Sequence, residues 1–174
     1  MGIVALLAAG CGRGVPPRAN VAEEAYAPER DFATGPVEIV YKESSGVVGW
    51  TVTAKESTVT LASSGKVRGS LVGVSAVLFK GGKPSCRLRS DKGEADQGTG
   101  VLALAGNVEV VAVEQQTVLR AQRLKWNVRK GLLEAEGGVV VTTESYTIGP
   151  YPRLDATADL KRFGTPDHFG EASR

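Results

Sequence analysis

Alternation of apolar and polar residues dominates the chain from about residue 37 to residue 163. In "LALAGNVEVV", residues 102–111, Leu102, Leu104, Gly106, Val108 and Val110 fall on one side, with Ala103, Ala105, Asn107 and Glu109 on the other. A strand whose successive side chains point to opposite faces has this pattern. It begins at "VEIVYKE" from Val37 or at "WTVTAKE" from Trp50 and continues as strand, turn, strand to Phe163. Runs rich in Val and Thr, broken by short groups of Gly, Asn, Asp and Ser, predict an antiparallel meander.

The runs repeat. Gly69, Gly100 and Gly131 are 31 residues apart, as are Leu71, Leu102 and Leu133, and Val77, Val108 and Val139; Leu88-Arg89 matches Leu119-Arg120 at the same spacing. A fixed period of this size signals stacked units, none able to bury its apolar face alone. Each unit here is two strands and two turns. Taken alone, "LVGVSAVLFK" buries either Val72, Val74 and Leu78 or Leu71, Val77 and Phe79. Register with the later copies selects the second set. The expected inward face is therefore Leu71, Val77 and Phe79; Leu102, Leu104, Val108 and Val110; and Leu133, Ala135, Val139 and Val141. The alternate strands add Trp50, Val52 and Ala54; Cys86 and Leu88; Leu119 and Ala121; and Tyr146 and Ile148. Gly73, Ser75, Gly106 and Gly137 sit inside strands, where a missing or small side chain marks a bend or bulge. The expected fold is all-β: an antiparallel meander folded on itself into an open β-jelly roll (a β-taco) around an apolar trough.

Composition agrees with this and adds little about partners. The 174 residues include 22 Gly, 8 Pro and a single His, and 21 basic against 19 acidic residues leave a net charge of +2. That balance does not point to a polyanion. The two ends differ from the middle. Residues 1–11, "MGIVALLAAGC", read as a lipoprotein-type signal segment: an apolar run ending in small residues before Cys11, where "LLAAGC" resembles a bacterial lipoprotein box with Cys11 as the lipidated residue. Residues 12–36, rich in Pro, Gly, Ala and charge without a period, read as a flexible tether; 37–163 form the β domain; 164–174 read as a disordered tail. With Cys11 acylated, Cys86 has no partner and is expected as a small buried hydrophobe.

The stretch "LALAGNVEVV", the following "TVLRAQRLKW" and "LLEAEGGVVV" resemble the OstA-like β-jelly-roll proteins of lipopolysaccharide export, and the opening "WTVTAKEST" resembles the LptC family within them. The resemblance covers residues 37–163. It implies a protein at the periplasmic face of the inner membrane, here anchored through Cys11, that receives lipopolysaccharide from an inner-membrane ABC transporter complex and passes it to a periplasmic jelly-roll bridge protein. The lipid A acyl chains would lie in the trough, with no cofactor and no reaction. It also implies end-to-end assembly, with the transporter at the N-terminal end near Trp50. Residues 153–161, carrying Leu154, Ala156, Ala158 and Leu160, are the expected exposed C-terminal edge strand that accepts the next jelly roll.

Other chemistry is poorly represented. His168 lies among Pro, Gly and Asp near the C-terminus, and no metal-ligand spacing, phosphate-binding loop or nucleophile elbow occurs. The pairs Glu134/Glu136 and Asp155/Asp159 are candidate acid–base carboxylates, but the first alternates with inward Leu133 and Ala135 and so belongs on a solvated outer face. The basic run 120–130, with Arg120, Arg123, Lys125, Arg129 and Lys130 around Trp126, reads as an outer strand face with Trp126 in the core; no nucleic acid is expected. The competing functional reading is a structural or protein-interaction β-repeat lipoprotein with a closed core and no lipid ligand.

Overall fold

The computed structural model describes residues 30–169, with side chains from residue 35. The ten strands among these residues form one antiparallel sheet. In chain order they are β1 (Arg30–Thr34), β2 (Val37–Lys42), β3 (Val48–Leu61), β4 (Val67–Lys80), β5 (Lys83–Asp96), β6 (Val101–Ala112), β7 (Val118–Asn127), β8 (Leu132–Thr142), β9 (Thr147–Thr157) and β10 (Phe163–Gly164). From β3 to β10 each strand pairs with the next, while β1 and β2 lie end to end along the outer edge of β3. A one-turn helix, α1 (Pro166–Phe169), follows. The sheet thus begins at Arg30, inside the stretch read as tether, and α1 lies in the stretch read as disordered tail.

In each strand from β3 to β8 the alternation is interrupted near the middle. Inward residues step by three in β3 (Ala54 to Ser57), β4 (Leu71 to Val74), β5 (Ser90 to Gly93) and β7 (Ala121 to Leu124). They step by four in β6 (Leu104 to Val108) and β8 (Ala135 to Val139). Regular pleating steps by two, so each of these six strands carries an irregularity at the same level of the sheet. In β6 the extra residue is accommodated by Gly106 and Asn107 at φ +78° and +47°, and in β8 by Gly137 and Gly138 at φ +85° and +68°. β4 has only Gly73 there, at φ +65°.

That difference corrects the inward assignment of Val77 and Phe79. The 31-residue register carries the four-residue step of β6 and β8 onto β4, but β4 steps by three. Val74, Ala76 and Leu78 are therefore buried, and Val77 and Phe79 lie half-buried on the other face. Tyr146 is also displaced from its expected place: it lies in the β8–β9 turn and is 51% exposed.

The irregularities form a line along which the sheet folds. A straight fourteen-residue strand such as β4 would hold its ends about 45 Å apart. Yet Lys80, at one end of β4, reaches Asp159, beyond the opposite end of the sheet, with 2.7 Å between Nζ and Oδ2. The line divides the strands into two half-sheets. The first holds 48–54, 74–80, 83–90, 108–112, 118–121 and 139–142; the second holds 57–61, 67–72, 92–96, 101–105, 123–127 and 132–136. Their apolar faces meet in a single core.

Candidate functional site

The candidate site is the space between the half-sheets. Strand alternation supplies its lining: Trp50 and Val52 from β3, Leu71 from β4, Leu88 from β5, Leu102, Leu104, Val108 and Val110 from β6, Leu119 from β7, and Leu133, Val139 and Val141 from β8. All twelve were expected inward and all are buried, none more than 2% exposed. Ile148 is half-buried and packs against the edge of the same core. Trp126, expected in the core but not in the lining, is buried there. Leu78, expected on the opposite face, and Leu124 and Tyr41, which the pattern did not single out, are buried with it: Leu78 and Leu124 follow the three-residue step of their strands, and Tyr41 is stacked on Trp50 at 5.5 Å between ring centroids.

The space is filled by side chains. A concavity of about 880 Å³ lies instead on the outer face of the second half-sheet, floored by Ala103 and Ala105 and walled by Val72, Arg123 and Lys125. The basic run belongs to outer faces as expected. Arg120 bonds Glu109 at 2.8 Å, Arg123 bonds Glu136 at 3.3 Å, and Trp126 points inward, 3% exposed. Glu134 and Glu136 face the same outer surface, the former 3.8 Å from Arg153.

Opposite the fold line the free rims of the half-sheets meet in a seam. The Trp50 indole donates to the Gly100 carbonyl at 3.1 Å, and the Gln97 amide donates to Val40 O at 2.8 Å while accepting from Val67 N at 3.0 Å. A Cβ at Gly49 would lie 3.2 Å from Val128 Cγ2, so backbone and side chain touch there. Farther along, Lys80 pairs with Asp159, and Lys161 with Glu114 at 3.2 Å. No backbone–backbone hydrogen bond crosses this line among the described residues. Burial alone would raise the Asp159 pKa, but hydrogen bonds from Lys80, Thr157 and the Lys161 N–H outweigh it and hold the carboxyl at about 2. Burial, and then the Asp159 charge, push the Cys86 thiol up to about 12. Nothing in the sequence announces the seam, because its partners are as much as 79 residues apart.

The C-terminal edge differs from expectation. Leu154, Ala156, Ala158 and Leu160 are core residues, at most 5% exposed, and β10 pairs with β9 at Ala156 and Asp155. Their alternation reports burial of one face and says nothing about a free edge. At the other end β2 covers the edge of β3 at Trp50, pairing with it through Tyr41.

Residues 38–148 match the family described as lipopolysaccharide-assembly, LptC-related. The chain belongs to that family. The match runs from β2 into the start of β9, so it takes in most of the core and all of the residues named above as joining the seam except Asp159 and Lys161. No curated protein matches the chain. Membership sets this LptC-related chain among proteins of lipopolysaccharide assembly and transport, in the cell envelope, and not among enzymes. Among the described residues no helix is long and apolar enough to cross a membrane. Cys11 lies outside the described residues and before the family match.

Proposed function

We propose that this protein carries lipopolysaccharide through the periplasm, holding lipid A acyl chains between its two half-sheets. It takes the lipid from an inner-membrane ABC transporter complex, hands it to a jelly-roll bridge protein, and is anchored to the membrane through lipidated Cys11. The observation that carries this reading is a continuous apolar interior between two rims that, among the described residues, no backbone–backbone hydrogen bond joins.

Magnitudes favour opening. Each acyl CH₂ moved out of water contributes about 0.8 kcal/mol, so one chain of about twelve carbons contributes on the order of 10 kcal/mol. Exposed ion pairs such as Lys161–Glu114 contribute roughly 0–1 kcal/mol each. A chain entering along the seam also replaces the apolar contacts that the half-sheets lose, so separating the rims does not leave the lining in water.

The filled interior is equally what a structural β-repeat protein with a closed core requires, and one experiment separates the two. A photo-cross-linking residue is placed at Leu104, which points inward, or at Glu109, which faces out, and the cells are irradiated. Lipopolysaccharide adducts at 104 and not at 109 support the carrier. A folded protein that gives adducts at neither position is the closed-core protein. For the anchor, Cys11→Ala is expected to leave the chain unprocessed and without acyl label while the β domain folds; an acylated Cys11→Ala chain would overturn it.

A further inference from the structure

The interior holds two indoles in different states. Trp50 donates its N–H to the Gly100 carbonyl, whereas Trp126 Nε1, equally shut from solvent, has no hydrogen-bond partner and is the one such buried side-chain polar atom among the described residues. Tryptophan is a donor only, and an indole N–H buried in an apolar core usually finds an acceptor. Left alone it retains its full desolvation cost, and such a group in a native fold calls for a reason.

Its position suggests one. Trp126 is paired between Leu102 and Leu133 and is the last inward residue of β7 before the turn whose Val128 touches Gly49 across the seam. The indole is therefore apolar-walled but one step inside the rim. An acylated lipid whose tails enter along the seam and whose sugar stays in water brings one kind of polar atom to that depth: the ester or amide carbonyl at the root of the chain. We propose that Trp126 is a ligand-recognition residue, its Nε1–H donating to the carbonyl oxygen of an acyl chain and so selecting acylated lipids over plain alkyl amphiphiles. This rests on the lipid-carrying reading and adds the residue that sets ligand class.

The two probes are N-dodecanoylglucosamine, which has the amide carbonyl, and dodecyl glucoside, which has a similar tail and a sugar but no carbonyl. With only two tryptophans in the full chain, two indole N–H signals are expected by ¹⁵N NMR, assigned through Trp126→Phe. The amide probe should move the Trp126 signal downfield and leave that of Trp50 in place, while the glucoside shifts core methyl signals without that movement. In binding assays Trp126→Phe should weaken the amide probe roughly two- to tenfold more than it weakens the glucoside, the worth of one neutral hydrogen bond beyond any packing change felt by both. Should that variant not fold, benzothienylalanine at 126 keeps the shape without the donor, and the NMR titration of the unmodified protein needs no variant. Uptake of both probes with no Trp126 movement overturns this inference and leaves the carrier reading standing. Uptake of neither overturns both.

Discussion

At the scale of single residues, position on the pleat decides chemistry. Cys86 alternates with Leu88 and is fully buried, and its thiol is pushed up to about 12, so almost no thiolate exists near neutral pH. In a Cys11→Ala background, Cys86 should be inert to a thiol-disulfide reagent at pH 8 and react at once in denaturant; labelling of the folded chain would show that the interior opens unassisted. Leu104, 2% exposed, tests packing. Truncation to Ala should lower stability by about 2–5 kcal/mol in denaturant unfolding, as for other buried leucines. Polar residues were equally legible. Glu109, Arg120, Arg123 and Glu136 alternate with inward neighbours, and each lies on the outer surface in an ion pair.

At the scale of the strand, the fold line is the feature on which sequence reading both succeeded and failed. Small residues inside strands marked the bend at Gly73, Ser75, Gly106 and Gly137; the three glycines lie on it with positive φ, whereas Ser75 is regularly paired with Thr53 and Arg89 in the first half-sheet. The number of residues each bend consumes was not legible: periodicity assumes a constant phase, and a bulge is a break in phase. One residue fewer in β4 was enough to turn Val77 and Phe79 outward. Two adjacent glycines of β8 separate the causes of the bend. A Cβ on Gly138 would meet nothing within 4 Å, whereas one on Gly137 would lie 2.8 Å from Gln122 Cβ. Gly138→Ala should therefore show only the cost of a left-handed residue with a side chain, about 1–3 kcal/mol, and Gly137→Ala more than that. Equal losses in thermal unfolding would mean that packing against Gln122 does not fix the fold line.

For the whole molecule the seam is the controlling feature, and its charges give it a pH signature. Asp159 is held at about 2 in the folded protein against an ordinary value of 3.8. A lowered carboxylate pKa stabilises the fold above the ordinary value, and that contribution is lost as pH falls from about 4 to about 2. Asp159→Asn should abolish this part of the acid destabilisation; melting curves of variant and parent that stay parallel between pH 4 and 2 would count against the Lys80 pair as a clasp. Removing both acidic partners, Asp159→Asn with Glu114→Gln, should raise amide hydrogen exchange along both rims and speed lipid uptake without changing the core strands. Unchanged exchange at the rims would place the closing force in the apolar interior alone.

The sequence by itself determined what is local and periodic: strands of alternating polarity, their antiparallel order, the level at which they bend, and the apolar identity of nearly every inward side chain. These follow from two-residue pleating and short turns, which need no knowledge of distant partners. Only the tertiary structure decided what depends on residues brought together from afar. Folding the sheet closed the trough into a packed core, drew Leu154, Ala156, Ala158 and Leu160 into it, and joined Lys80 to Asp159 and Gln97 to Val40 across the seam. It also left Trp126 as an unmatched donor behind the rim. A strand's own pattern says which face is apolar, but what that face meets is set by how far the whole sheet turns at its bulges.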